Sequence, residues 1–124
     1  MFTRDTCCTL VPYFDIQEGQ LDAFKAVARD LVAKTRAEPG CMHYAFSFNG
    51  NLAHCREGYV DAAALLAHRE NVAELLGQAL KISKIVRFEV HAPEAEIDKL
   101  RGPMASRSPQ FFALEEGIRR SSEG

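Results

Sequence analysis

The spacing of hydrophobic and polar positions changes several times along the chain, and each change predicts a new element. Apolar residues in CCTLVPYF (7–14) predict a first strand, where Pro12 indicates an edge or a bulge because it cannot donate to a ladder. From Gln20 to about Arg36 the apolar positions recur at helical spacing, with charged residues between them. We therefore expect an amphipathic helix there, ended by EPG at 38–40.

Two strands and a helix are predicted next. CMHYAFSF (41–48) alternates, which places Tyr44, Phe46 and Phe48 on one face. The turn signal NGN (49–51) predicts that 52–58 returns as the hairpin partner. Asp61 is a favourable N-cap for a helix that runs to about Asn71, and VAELLGQAL follows as a second helical piece.

The remaining sequence predicts one more strand and a short helix. KIVRFEVH (84–91) alternates again, which places Val86 and Phe88 on the same face. PEAEIDKLRG (93–102) is typical of a short helix that opens with proline and closes with glycine. Residues 103–124 are interpreted as a linker and arm, in which QFFAL precedes a charged, frayed tail.

The order of these elements defines the fold class. Strand, helix, strand, strand, helix, strand predicts an α+β, ferredoxin-like βαββαβ domain over residues 1–102, with a four-stranded antiparallel sheet. The helices cover one face of that sheet, and nothing in the chain covers the other, although its residues are apolar or small. Such a face argues for a partner, so we expect a homodimer with its sheets packed face to face. QFFAL in the arm 103–124 is expected to pack on that partner or to extend a sheet edge.

Composition narrows the class of protein. The length of 124 residues fits one domain, and a net charge of −2 with mixed signs argues against nucleic-acid binding. No stretch approaches the ~20 apolar residues of a membrane span, and the N-terminus lacks the features of a signal peptide. We therefore expect a cytoplasmic protein whose cysteines stay reduced. No CxxC pair is present, so a zinc knuckle is not expected.

Titratable residues are concentrated in HCREGYVDAAALLAHREN (54–71). His54 and Cys55 are neighbours in a strand, so they point to opposite faces and cannot chelate one metal ion together. Glu57 and Asp61 are interpreted as bracing the turn from strand to helix. We therefore expect no metal site in this segment.

His68 has a different position. It follows Leu65 by three residues and precedes Val72 by four, so it lies on the buried face of its helix. A buried imidazole needs a hydrogen-bond partner or a cavity. Two interpretations remain open: a packed histidine bonded to a backbone carbonyl, or a pocket histidine that titrates near neutrality and acts as a base.

The combination of EPGCMHYAF, a hairpin and REGYVDAAALLAH resembles the antibiotic biosynthesis monooxygenase family of the dimeric α+β barrel superfamily, over roughly residues 7–101. The resemblance implies a dimeric α+β barrel that oxidises a phenolic or quinol-type aromatic substrate with O₂ and without a cofactor. A haem-degrading branch is similar in fold but relies on an Asn/His/Trp set, and this chain contains no tryptophan. No cofactor is therefore expected.

Oxidation of this kind requires a base, a donor to the developing oxyanion and a dry apolar cavity. The candidate base is His68, and the candidate donors are three polar side chains: Tyr44, Tyr59 and Arg87. Four phenylalanines are candidates for the walls: Phe24, Phe46, Phe48 and Phe88. Phe46 and Phe48 also fit an ordinary core. The alternative function is a non-catalytic dimeric barrel that binds a hydrophobic small molecule in a stress-related or accessory role.

Overall fold

The computed structural model describes residues 1–120, so the last four residues of the expected arm, 121–124, lie outside the described part. Every strand and helix predicted from the pattern is present, with ends shifted by a few residues at most. The elements in chain order are β1 (Phe2–Arg4), β2 (Cys8–Ile16), α1 (Leu21–Thr35), β3 (Cys41–Asn49), β4 (Leu52–Tyr59), α2 (Ala62–Asn71), α3 (Ala73–Ala79), β5 (Ser83–Ala92), α4 (Glu94–Leu100), a 3₁₀ turn (Ala105–Arg107), β6 (Gln110–Ala113) and β7 (Ile118–Arg120).

The main sheet has five strands in the order β3-β4-β2-β5-β6. The α+β class is confirmed, and the first four strands pair antiparallel. The predicted number of four strands is wrong, because β6 joins the edge of β5 as a parallel strand. A parallel neighbour needs a long crossover, which α4 and the 3₁₀ turn supply. QFFAL therefore extends the edge of its own sheet, and its contact with a dimer partner stays a prediction.

The tail is more ordered than expected up to Arg120. β7 pairs antiparallel with β1, with Phe2 opposite Arg120. The Arg120 guanidinium lies over the Phe2 ring, 4.4 Å from its centroid. Strands of three residues are too short to show an alternating pattern, so the sequence carried no strand signal for either of them.

Pro12 lies in the central strand β2, so the edge alternative for this residue is wrong. The register between β2 and β5 shifts between Tyr13 and Phe14, next to this proline. The shift places Ile85 opposite Phe14 and leaves Val86 with 51% of its surface exposed. Val86 is therefore not on the same face as Phe88, contrary to the expected alternation. An extra residue in one strand shifts the alternation of side chains on one side of the irregularity.

The helices cover one face of the sheet and form the core with it. One cluster of buried side chains surrounds Tyr59 and Leu65, and a second surrounds Phe14 and Phe24. The opposite face, called the open face below, carries the side chains of Tyr13, His54, Arg87, Glu89 and His91. Among residues 1–120, no helix has the length and apolar character needed to cross a membrane.

The EPG turn is pressed against the start of α2. Asp61 caps this helix as predicted, since its Oδ1 accepts a hydrogen bond of 2.8 Å from the backbone N–H of Ala64. The Gly40 carbonyl accepts a 2.9 Å hydrogen bond from the Val60 N–H. A Cβ atom on Gly40 would lie 2.5 Å from the Cβ of Ala64. Only glycine therefore allows the turn that carries Glu38 to approach α2 this closely.

Substitution of this glycine should loosen the contact. We expect Gly40→Ala to lower the free energy of unfolding by about 1–3 kcal/mol, because turn and helix must separate. Gly77→Ala is the matched control: an added Cβ there meets no atom within 4 Å, and alanine should stabilise the helix by about 0.5–1 kcal/mol. Chemical denaturation measures both values. Equal stability of Gly40→Ala and the native chain would contradict the close approach.

Candidate functional site

His68 lies at a narrow cavity between the helices and the sheet. Only 3% of its surface is exposed. The cavity has a volume of about 50 Å³, and its walls are mainly apolar side chains such as Leu10, Val72 and Phe88. Tyr44, Glu57 and His68 are polar groups set into these walls, and two arginines also line the cavity. The position of His68 thus agrees with the interpretation as a pocket histidine. Its ring nitrogens face carboxyl groups and not a backbone carbonyl.

Glu38 holds the imidazole of His68 from one side. The Nδ1 atom of His68 lies 2.9 Å and 3.1 Å from the two carboxylate oxygens of Glu38. The amide of Asn71 donates to the same carboxylate at 2.8 Å, which fixes its position. A carboxylate accepts hydrogen bonds, so a neutral His68 carries its proton on Nδ1. Nε2 is then left as the basic atom.

Glu57 faces the other nitrogen of the same ring. Its Oε1 atom lies 3.4 Å from His68 Nε2 and accepts a 2.7 Å hydrogen bond from the Tyr59 hydroxyl. Burial raises the pKa of Glu57 to about 7, although the hydrogen bonds from Tyr59 and Cys55 oppose this, and the charge of Glu38 raises it further. A substantial fraction of Glu57 is therefore protonated near neutral pH, unlike an ordinary carboxyl group.

Burial has the opposite effect on the imidazole. It lowers the pKa of His68 below its ordinary value, against the opposing influence of Glu38. Both shifts favour the state in which the proton lies on Glu57 and His68 is neutral. The site pairs a neutral acid with a neutral base, the arrangement that general acid–base chemistry at neutral pH requires.

Tyr44 and Tyr59 enclose His68. The centroid of each ring lies 5.0 Å from that of the imidazole. Burial raises the pKa of both phenols, so both remain protonated donors. The Tyr59 hydroxyl is committed to Glu57. The structure thus brings together three of the four residues expected to carry the chemistry: His68, Tyr44 and Tyr59.

Arg87 is the fourth, and the structure does not bring it to the cavity. Its guanidinium lies on the open face, 5.9 Å from the centroid of the Tyr13 ring, and pairs with Glu89. The reason is strand geometry: Phe88 faces the helices, so its neighbour must face the other side. The sheet separates Arg87 from His68.

Of the four phenylalanines expected as walls, Phe88 lines the cavity and the other three do not. Phe24 is buried in the second core cluster, with its ring centroid 5.4 Å from that of Phe14. Phe46 and Phe48 border a separate surface groove beside α1. Successive residues on one face of a strand lie about 6–7 Å apart, so Tyr44 reaches the level of His68 while the later residues of β3 lie beyond it.

Glu38 and Glu57 have larger roles than the sequence suggested. Glu57 was interpreted as a brace, yet it shares the buried face of β4 with Cys55, which is 1% exposed. The alternation of residues along β4 could therefore have predicted that Glu57 points inwards with Cys55. Glu38 belongs to a turn, and no periodic pattern relates a turn residue to the helix it contacts. Two further polar groups at this cavity, Arg69 and Arg107, had no signal in the pattern.

The faces expected for His54 and Cys55 are confirmed. The His54 ring packs against Tyr13 on the open face, at a centroid distance of 4.8 Å. Cys55 points into the core. Within residues 1–120, no group of three His, Cys, Asp or Glu side chains is arranged to hold a metal ion.

Comparison with known proteins agrees with the fold. The family model described as antibiotic biosynthesis monooxygenase matches residues 8–73, and the chain belongs to this family. MupZ from Pseudomonas fluorescens is 52% identical, with 95% of this chain and 98% of that chain covered and a TM-score of 0.90. No curated protein matches the chain.

Two other solved structures are more distant. PA3566 from Pseudomonas aeruginosa is 25% identical, with 71% of this chain and 92% of that chain covered and a TM-score of 0.58. A structure described as an antibiotic biosynthesis monooxygenase is 24% identical, with 67% and 92% covered and a TM-score of 0.59. The latter likeness shows the fold alone.

The raised pKa of Glu57 predicts how stability depends on pH. The folded protein binds this proton more tightly than the unfolded chain, so stability falls as pH rises from the ordinary value of 4.5 to about 7. The depressed pKa of His68 acts in the opposite direction below pH ~6.5, so a variant must isolate the carboxyl group.

Glu57→Gln removes this titration and retains the shape of the side chain. Between pH 5 and pH 8, we expect the stability of the variant relative to the native protein to increase by roughly 3 kcal/mol at most. Urea denaturation at several pH values measures the difference. A constant difference would show that Glu57 ionises normally in the folded protein.

Proposed function

We propose that this protein is a small, cofactor-independent monooxygenase that oxidises a phenolic or quinol-type aromatic substrate with O₂. The observation that carries the proposal is the buried array of Glu38, His68 and Glu57 at an apolar cavity. Membership of the monooxygenase family supports it. The chemistry needs a substrate made electron-rich by loss of a proton, and the array supplies the base.

The reaction begins when His68 Nε2 accepts the phenolic proton, with Glu38 stabilising the resulting imidazolium. The phenolate passes one electron to O₂, and the phenoxyl radical and superoxide then combine to form a carbon–oxygen bond. His68 returns its proton to the peroxide, Glu57 protonates the leaving hydroxide and regains a proton from the ring C–H, and this loss of water leaves a new carbonyl. One phenol with a ring C–H and one O₂ thus give one quinone and one water. The apolar walls shield the reacting hydroxyl from bulk water.

The size of the cavity defines how a substrate approaches. A volume of about 50 Å³ holds only small groups, whereas an aromatic ring needs a cavity of about 150 Å³. The reacting hydroxyl therefore enters, and the ring lies outside. A cleft of about 370 Å³ adjoins the cavity and shares Ile85 and Phe88 with it. This cleft is the place proposed for the remainder of the substrate.

Loss of the base should remove oxygen consumption. With hydroquinones and anthrones as substrates, we expect His68→Gln to lower the rate of O₂ uptake by about 10²–10⁴-fold. Glutamine retains a donor towards Glu38, which limits the loss of stability. His54→Ala removes a histidine from the open face and is the matched control. An oxygen electrode, with circular dichroism to confirm folding, measures these rates.

Equal uptake by native protein and folded His68→Gln would contradict the role of His68. Absence of uptake with every substrate, combined with saturable binding of the same aromatic compounds, would favour the non-catalytic binding protein instead.

A second candidate is an acid–base reaction that consumes no oxygen. It is favoured by the pairing of a protonated carboxyl, Glu57, with a neutral base, His68, because these groups suffice to move protons within a substrate. Anaerobic incubation separates the two functions: turnover that continues without O₂ and stops in His68→Gln would assign acid–base chemistry to the site.

We also propose that two copies associate through the open face. Val86 and Phe112 expose 51% and 43% of their surfaces, and the helices pack on the other face of the sheet. Burial of such side chains against a second copy would stabilise the association.

Charge placed on this face should therefore weaken the dimer. We expect native protein to sediment as a dimer at micromolar concentration and Val86→Lys to shift it towards monomer. Val60→Lys is the control, since Val60 is exposed to a similar degree, 47%, but lies in the loop before α2. A monomeric native protein would refute the association.

A further inference from the structure

Two arginines lie at the cavity that contains His68 and Glu57. Arg69 follows the histidine on α2, and Arg107 ends the 3₁₀ turn; both side chains line the cavity. Arg69 is half-buried, and its Nη1 donates a 3.1 Å hydrogen bond to the carbonyl of Pro103. Burial lowers the pKa of Arg69, and the positive charge of Arg107 adds to this effect. The two guanidinium groups are thus close enough to repel each other.

Neither charge is neutralised by the protein. Among residues 1–120, the ion pairs of arginine join Arg87 to Glu89 and Arg101 to Asp98, and none involves Arg69 or Arg107. Arg107 is exposed, whereas Arg69 is partly withdrawn from water beside a like charge and without a counter-charge, which is unfavourable. Arginine side chains in such places commonly bind planar anions, because the guanidinium presents parallel N–H groups.

The arginines also mark the junction of the cavity and the adjoining cleft. Arg107, Ile85 and Phe88 line both spaces, so the two adjoin, and together they are called the channel below. The cleft adds a third cation, Lys84, and no carboxyl group. The acid that lines this channel is Glu57, which is buried. Charge is therefore divided along the channel: the buried Glu57 and His68 line the cavity, and the exposed Lys84 and Arg107 line the cleft, called the mouth below.

We infer that Arg69 and Arg107 bind a carboxylate of the substrate while the reacting end of the same molecule points towards His68 and Glu57. The site thus takes an elongated substrate with an anionic end and a weakly acidic or polar end. The chemical class follows from the charges at the mouth, and the orientation rests on the proposed function of the array. A phosphate would satisfy the same arginines, and the experiment separates the two anions.

Binding measurements test the carboxylate directly. Isothermal titration calorimetry with the full chain would compare 4-hydroxyphenyl alkanoates of increasing chain length with their primary amides, which have the same shape but no charge. We expect the native protein to prefer the acid over the amide by about 10-fold or more. Arg107→Gln should abolish this preference while leaving the affinity for the amide unchanged. Arg69→Lys, which keeps the charge but not the planar fork, should reduce the preference in part.

Arg101→Gln is the matched control, because Arg101 has its own partners in Asp98 and the Phe111 ring. It should leave the preference unchanged. Equal binding of acid and amide by the native protein would overturn the inference, as would an unchanged preference in Arg107→Gln. Tighter competition by phenyl phosphate than by every carboxylate would replace the carboxylate with a phosphate and overturn the assigned class.

The test of the anion site does not depend on whether the protein oxidises its substrate. Oxygen uptake with uncharged phenols but no preference for acids would leave the proposed function standing and remove the anion site. A preference for acids that depends on Arg107, without oxygen uptake from any compound, would establish the anion site and remove the monooxygenase.

Discussion

The imidazole of His68 is buried between two carboxyl groups, and three parts of the chain must meet for this to happen. The turn before β3 supplies Glu38, β4 supplies Glu57, and α2 supplies the ring between them. Gly40 permits the turn to touch α2. Asp61 caps the start of α2, and this starting point fixes the helical phase that directs His68 inwards. An uncompensated charge here would destabilise the fold, so the site and the core depend on the same contacts.

The position of one proton decides what this array can do. With Glu38 ionised, the site carries a single negative charge both when Glu57 and His68 are neutral and when they form an ion pair. The two states differ by one proton moved across the 3.4 Å between Glu57 and Nε2. Burial favours the neutral pair, since it raises the pKa of Glu57 and lowers that of His68. A substrate that brings its own acidic proton finds a free base and, beside it, an acid ready to return a proton.

The periodic spacing of apolar residues predicted the features that lie within a single strand or helix. It placed the aromatic side chains of β3 on one face of the strand and His68 on the buried face of α2, because strands and helices repeat every 2 and 3.6 residues. It failed at Val86, where the register shifts. Contacts between distant segments have no local pattern: the pairing of β6 with β5 and the contact of Glu38 with His68 both depend on how loops return to the core. Arg87 is a different case. Its residue type suits an oxyanion donor, but the alternation of β5 already placed it on the face opposite Phe88.

The tautomer of His68 tests the account most directly. Nitrogen-15 NMR of histidine-labelled protein, with the signal assigned by its absence in His68→Gln, distinguishes a protonated from an unprotonated ring nitrogen. The account predicts a neutral ring at pH 7, with the proton on Nδ1 towards Glu38 and Nε2 unprotonated. A doubly protonated imidazolium, or a neutral ring with its proton on Nε2, would contradict it, because neither form leaves a base at the cavity.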